Sequence, residues 1–215
     1  RSSAASDVYK RQMRIYLRTT PNDVIVPFDY QQKIVGTIHK WLGNNEIHDK
    51  ISLYSFSWLL GGNMIMDKGY NFSKGATLFI SFYENKYLKV LIDTILSDPK
   101  MFCGLSVKEV TFEREPAFTE EPAFFRLATP IFIKRLIEEN GKKEQKFYFY
   151  DDRESNDLMT ETLKHKMREA GLPDDDTLKV EFDLSYMNKK KKLVTIHGIK
   201  TVSYTHLRAH ETRGN

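Results

Sequence analysis

Residues 75–113 read GATLFISFYENKYLKVLIDTILSDPKMFCGLSVKEVTFE, and the order of patterns within them decides the fold. Residues 75–83 (GATLFISFY) have the β-branched and aromatic content of a strand. Residues 86–96 (KYLKVLIDTIL) read as a helix that ends before Pro99. Residues 105–113 (LSVKEVTFE) alternate apolar and polar side chains, as a half-buried strand does. The same vocabulary continues toward the N-terminus. Residues 13–20 (MRIYLRTT) alternate, and Pro27 opens a second helix over 28–42 (FDYQQKIVGTIHKWL). Ile34, Ile38, Trp41 and Leu42 recur there at helical spacing, and Gly43 with Asn44 supplies a C-cap. A short polar loop holds His48, Asp49 and Lys50. Residues 53–60 (LYSFSWLL) form the next expected strand, stopped by Gly61-Gly62. The resulting order, β-α-β-β-α-β, is the ferredoxin-like pattern.

Beyond a charged, turn-rich boundary at 115–122 (EPAFTEEP), the order partly repeats. A strand is expected around 131–133 and another at 146–150 (KFYFY). Residues 156–170 predict a helix with Asn156 as N-cap, stopped by Gly171, Leu172 and Pro173. Residues 178–186 and 193–199 read as strands joined by a lysine-rich tip at 188–192. The expected fold class is therefore α+β, with two tandem ferredoxin-like (RRM-like) domains over 13–116 and 117–201, the second incomplete.

The ends are set aside. Residues 2–12 (SSAASDVYKRQ) and 202–212 (VSYTHLRAHET) can be back-translated into one DNA element read on opposite strands. That element resembles the adapter of transposase-based sequencing libraries. Residues 1–12 and 202–215 are thus expected to be adapter-derived rather than native. Met13 becomes the expected start, and the native C-terminus is expected to be cut short.

This changes the charge argument. The whole chain carries 33 Lys+Arg and 29 Asp+Glu, a net charge of +4. The flanks hold five of those cations and two of those anions, which leaves about +1 for residues 13–201. Net charge then gives no argument for nucleic acid, and local clusters must carry it. The hydrophobic fraction of 40% suits a globular chain with a core. Cys103 is the only cysteine, which rules out a disulfide framework and a cysteine zinc site. No apolar run reaches the length of a membrane span and no signal peptide follows Met13, so no membrane partner and a cytoplasmic location are expected.

Four segments carry a resemblance. They are Val26-Pro27-Phe28-Asp29-Tyr30 with Gly36-Thr37-Ile38-His39 on the following helix; Ile47-His48-Asp49-Lys50 leading into Leu53-Tyr54-Ser55-Phe56-Ser57; Ala128-Thr129-Pro130-Ile131; and the spacing of strands and helix after it. In order and spacing these resemble the CRISPR-associated pre-crRNA endoribonucleases of the RAMP superfamily, over nearly all of residues 13–201. The resemblance implies two ferredoxin-like domains side by side. It implies metal-independent cleavage of CRISPR repeat RNA that leaves a 2′,3′-cyclic phosphate and a 5′-hydroxyl, with no cofactor. By position His48 matches a catalytic histidine of the family. His39 falls where some members carry a tyrosine or histidine, and Lys50 lies close to a supporting lysine. The family's glycine-rich loop near the C-terminus has no counterpart here. The implied partners are CRISPR precursor or repeat RNA and the CRISPR interference complex.

The residues can support that chemistry. RNA brings its own nucleophile, the 2′-OH. Cleavage needs a base, an acid for the departing 5′-oxygen, and a cation for the phosphorane. Histidine fits either proton role because its unperturbed pKa is about 6.5, and a lysine stabilises developing charge. His39 and His48 are nine apart, one near a helix end and one in the loop after it. Capping of helix carbonyls is the alternative role for His39. His165 lies on a charged helix and reads as solvated; His197 precedes Gly198 and reads as structural. No metal-ligand motif and no phosphate-binding glycine motif is present. Asp151-Asp152 and Asp174-Asp175-Asp176 read as turns.

Two basic tips offer RNA contacts: Lys189, Lys190, Lys191 and Lys192 on one expected hairpin, and Lys142 and Lys143, with Lys146, beside another turn. A plain solvated tip is the alternative for both. Among Phe147, Tyr148, Phe149 and Tyr150, one face is core and the other is free to stack on bases. A RAMP-fold subunit that holds crRNA without cutting it is the competing function. A tandem ferredoxin-like domain with a small-molecule ligand is a further alternative.

Overall fold

Ile15 and Leu17 are fully buried while Arg18 is exposed, so the alternation of the first strand separates two faces of a sheet. The structure is a computed structural model. It describes residues 13–44, 53–114, 123–127, 129, 131, 133–139, 141–185, 192–196, 199–203 and 206–210. The chain divides into two compact units, Arg1–Pro116 and Ala117–Asn215.

The first unit runs β1 (Met13–Thr19), α1 (Gln31–Leu42), β2 (Tyr54–Phe56), β3 (Asn63–Ile65), β4 (Gly69–Asn71), β5 (Thr77–Phe82), α2 (Asn85–Ser97) and β6 (Val107–Arg114). Its antiparallel sheet has the order β2-β5-β1-β6. With β3 and β4 set aside as an inserted hairpin, this is the ferredoxin-like arrangement. Both helices pack on one face. From α1 come Ile34, Ile38, Trp41 and Leu42, and from α2 Leu88, Leu91 and Ile95, to meet Ile15, Leu17, Leu78, Ile80 and Phe82 of the sheet. Each of these aliphatic side chains contributes about 1.5–3 kcal/mol by leaving water.

Two boundaries and one hairpin depart from expectation. The first helix begins at Gln31 rather than at 28, because residues 28–30 form a turn. That turn buries Tyr30, whose hydroxyl accepts the Leu59 N–H at 3.1 Å; burial pushes its pKa well above the ordinary phenol value. The strand expected over 53–60 is a strand only at Tyr54–Phe56, with an isolated bridge from Leu60 to Thr77. Ser57 explains the break: its backbone N–H donates to the Phe79 carbonyl and its Oγ accepts the Phe79 N–H, both at 2.9 Å. A side chain has replaced one rung of the ladder. The hairpin β3–β4 was not expected. It is held to Val26 by a bridge at Tyr70, and Gly69 makes that approach possible. A Cβ on Gly69 would sit 2.0 Å from the Val26 carbonyl oxygen.

The second unit contains β7 (Ala123–Arg126), β8 (Ile133–Glu139), β9 (Lys142–Tyr148), α3 (Ser155–Glu169), β10 (Lys179–Phe182), β11 (Lys192–Ile196), β12 (Ile199–Ser203) and β13 (His206–His210). β8–β9 and β11–β12 are hairpins, and a three-stranded sheet has the order β10-β13-β7. β13, from the residues set aside as adapter-derived, is its central strand. Ile133, Met159, Val180 and Phe182 form the described core, with Tyr148 and Tyr150 packed against it.

The strand expected at 131–133 instead starts at Ile133 and runs to Glu139. The one expected over 178–186 is confined to Lys179–Phe182. Asp183 stops it by accepting the Ser185 N–H and hydroxyl. Asn156 does not cap α3. It lies inside the helix, and its Oδ1 accepts the Phe182 N–H at 3.1 Å, tying the helix to β10. At the other end Gly171 adopts φ 71, with its N–H bonded to the Arg168 carbonyl and the Leu172 N–H to the Met167 carbonyl. That is the Schellman arrangement. No described helix is long and apolar enough to cross a membrane.

Candidate active site

The last turn of α1 is held unusually firmly for a helix end. Ile38, Trp41 and Leu42 are buried on either side of His39 in sequence. The Trp41 indole N–H donates to the Asp98 carbonyl at 2.9 Å, beyond the end of α2. Lys40 reaches the same place, with Nζ 2.9 Å from Asp98 Oδ2 and also donating to the Lys100 carbonyl. The Lys40 ammonium, and after it the Lys100 backbone N–H, holds the Asp98 carboxyl below its ordinary value. With Trp41 and Lys40 pinned to the end of α2, the backbone at His39 is fixed.

His39 is half-buried, and its Nε2 stands 3.3 Å from the Tyr54 hydroxyl. Tyr54 is the first residue of β2 and pairs with Phe82, so it projects to the face covered by the helices. Its ring stacks on Phe82 at 5.5 Å and meets the imidazole edge-on at 6.5 Å. The phenol therefore has a fixed ring and a hydroxyl aimed at an imidazole nitrogen. Such a pair can set the tautomer of the histidine and pass a proton along one short path.

Residues 43–53 join α1 to β2, and His39 with Tyr54 links the two flanks of that connection. His48 and Lys50 belong to it; both lie in 45–52, outside the described residues. Of the three expected catalytic side chains, the structure thus places His39. Sequence reasoning assigned no role to Tyr54. The alternation of Tyr54 and Phe56, which puts both on the face of Ile80 and Phe82, was the signal available for it.

The expected RNA-contacting lysines are in the second unit. Lys142 and Lys143 are exposed on β9, just after the turn at Gly141. Lys143 lies directly across the hairpin from the exposed Glu138, which offsets part of its charge. Lys192 begins β11, and Lys189, Lys190 and Lys191 lie outside the described residues. Lys146 sits over the Tyr148 ring at 4.8 Å. His165 is exposed on α3, and His197 is outside the described residues. No group of three or more His, Cys, Asp or Glu able to hold a metal ion occurs among the described residues.

Residues 113–211 match the family model described as CRISPR associated protein Cas6, C-terminal. No curated protein matches the chain. Solved structures do. One described as CRISPR associated protein Cas6 is 18% identical with a TM-score of 0.72, over 94% of this chain and 88% of that one. A Cas6-related protein from Pyrococcus furiosus is 17% identical with a TM-score of 0.78, over the same shares. A RAMP protein described as binding different RNA substrates is 16% identical with a TM-score of 0.72, over 93% of this chain and 88% of that one. These structures share the fold, that of two tandem ferredoxin-like units. The second unit is thus matched by that family model, and along nearly its whole length the chain shares its fold with structures described as Cas6 and RAMP proteins.

Proposed function

We propose that the protein is an endoribonuclease that cuts CRISPR repeat RNA within the precursor transcript to make guide RNAs. The observation that supports this most is the His39–Tyr54 pair at 3.3 Å, which links the flanks of the connection carrying His48 and Lys50. The match of the second unit to the Cas6 family model supports repeat RNA as the substrate, with the interference complex as the next holder of the product.

The 2′-OH attacks its own 3′-phosphorus while a base removes its proton. The P–O5′ bond breaks as an acid protonates the leaving oxygen. The products are a 2′,3′-cyclic phosphate and a 5′-hydroxyl, and no atom need come from a metal-bound water. His48 takes one proton role and His39, oriented by Tyr54, the complementary one. Lys50 stabilises the extra charge on the phosphorane. Each positioned acid or base contributes about 10²–10⁴-fold. Lys142, Lys143 and Lys189 to Lys192 supply phosphate contacts whose strength falls with salt.

Incubating the protein with end-labelled repeat RNA in EDTA tests this. One cut within the repeat that is lost in His48→Ala supports it. Tight binding with no cut would instead make the protein a crRNA-holding RAMP subunit.

A further inference from the structure

On the sheet of the first unit, the face that α1 and α2 leave uncovered carries an aromatic and cationic cluster at its centre. Register puts Tyr16 of β1 directly opposite Phe79 of β5, and both side chains project away from the helices. Their ring centroids are 5.6 Å apart with a 55° tilt. Arg14, two residues along β1 on the same face, lays its guanidinium carbon 4.5 Å from the Phe79 centroid. Its Nε also donates to Ser81 Oγ at 3.2 Å. All three side chains are half-buried, on the two central strands of the sheet. Rigid strands thus hold two aromatic rings and one guanidinium side by side, at little further ordering cost on binding.

We propose that Arg14, Tyr16 and Phe79 form a stacking surface for an unpaired base of single-stranded RNA, a site separate from the cleavage centre. The inference rests on the RNA-processing function above. Bases stack on aromatic rings and on guanidinium planes alike, and a four-stranded sheet can present such rings to them.

The charges around the cluster set the path of the RNA backbone. On the same face β6 presents the exposed Glu109 and Glu113, opposite Arg18 and Arg14 in register, with Glu109 3.3 Å from Arg18. That lane repels phosphates. The lane on the other side is neutral: Thr77 and Ser81 of β5 and Ser55 of β2. The phosphates therefore run over β5 and β2, with a base turned in toward Tyr16.

The test uses the full chain with two probes: a short single-stranded oligoadenylate, and an abasic strand with the same number of phosphates. Anisotropy should show the wild type preferring oligoadenylate. Tyr16→Leu and Phe79→Leu should each weaken that probe by roughly tenfold and leave the abasic strand unchanged. Tyr16→Phe should keep wild-type binding, because it keeps the ring. Should a leucine variant melt early, photo-crosslinking of a 5-iodouridine strand to the wild type replaces it, with adducts expected on residues 14–18 or 77–81. Equal binding by well-folded leucine variants, or adducts only elsewhere, would overturn the stacking surface. A wild type that cuts repeat RNA while the leucine variants bind normally refutes this proposal alone. A wild type that binds no repeat RNA refutes it together with the function it rests on.

Discussion

The Tyr54 hydroxyl stands 3.3 Å from His39 Nε2, joining the last turn of α1 to the first residue of β2. The bond spans the two ends of the connection that carries His48 and Lys50. Its partners are anchored independently. His39 is fixed by Trp41 and Lys40, which are tied to Asp98, and Tyr54 by stacking on Phe82.

Tyr54→Phe removes the hydroxyl and keeps the ring. The stacking on Phe82 should survive, so melting should fall by no more than the few degrees that one hydrogen bond is worth. One hydrogen bond contributes about 0.5–1.5 kcal/mol, so single-turnover cleavage of repeat RNA should fall by up to about tenfold with RNA affinity unchanged. A drop in affinity with an unchanged cleavage rate would place Tyr54 in binding instead.

Asp98→Asn should lower the melting temperature at neutral pH. The folded-state pKa of Asp98 is depressed, first by the hydrogen bond from Lys40. The stabilisation this provides is present above the ordinary carboxylate value and is lost as pH falls through the lower folded value. The gap in melting temperature between wild type and variant should therefore be constant near neutrality and close in acid, below the usual carboxylate range. A gap that stays unchanged below that range would show that the ion pair contributes nothing through its charge.

Gly171→Ala should destabilise the protein by about 1–2 kcal/mol in denaturant unfolding, the cost of a Cβ in the left-handed region. The cost is conformational alone, because the residue has φ 71 and a Cβ there would meet nothing within 4 Å. Gly171→Asn should cost less, since asparagine tolerates that region better. Equal losses for the two variants would argue against the backbone as the cause.

Much of the first unit was legible because its elements are long and strictly periodic. β1 alternates along its length, and α1 repeats apolar residues at Ile34, Ile38, Trp41 and Leu42, so local pattern and tertiary burial agree. The β3–β4 hairpin was not legible. Its strands have three residues each, and what fixes them is remote: the Val26–Tyr70 bridge and the close passage of Gly69. Asn156 misled because an amide near a helix start reads as a cap, whereas here it serves a strand some 26 residues away. At the candidate site, His39 and His48 were singled out through the family resemblance, and His48 lies outside the described residues. Tyr54 was not singled out, because its role depends on which face of β2 meets α1, and only strand register decides that.

The most direct measurement is cleavage of end-labelled CRISPR repeat RNA in EDTA by the wild type, His39→Ala and His48→Ala. The account predicts one cut that leaves a 2′,3′-cyclic phosphate, slowed by about 10²–10⁴-fold in each variant, with RNA binding retained. Cleavage by His48→Ala at the wild-type rate, or wild-type binding with no cut at all, would contradict it.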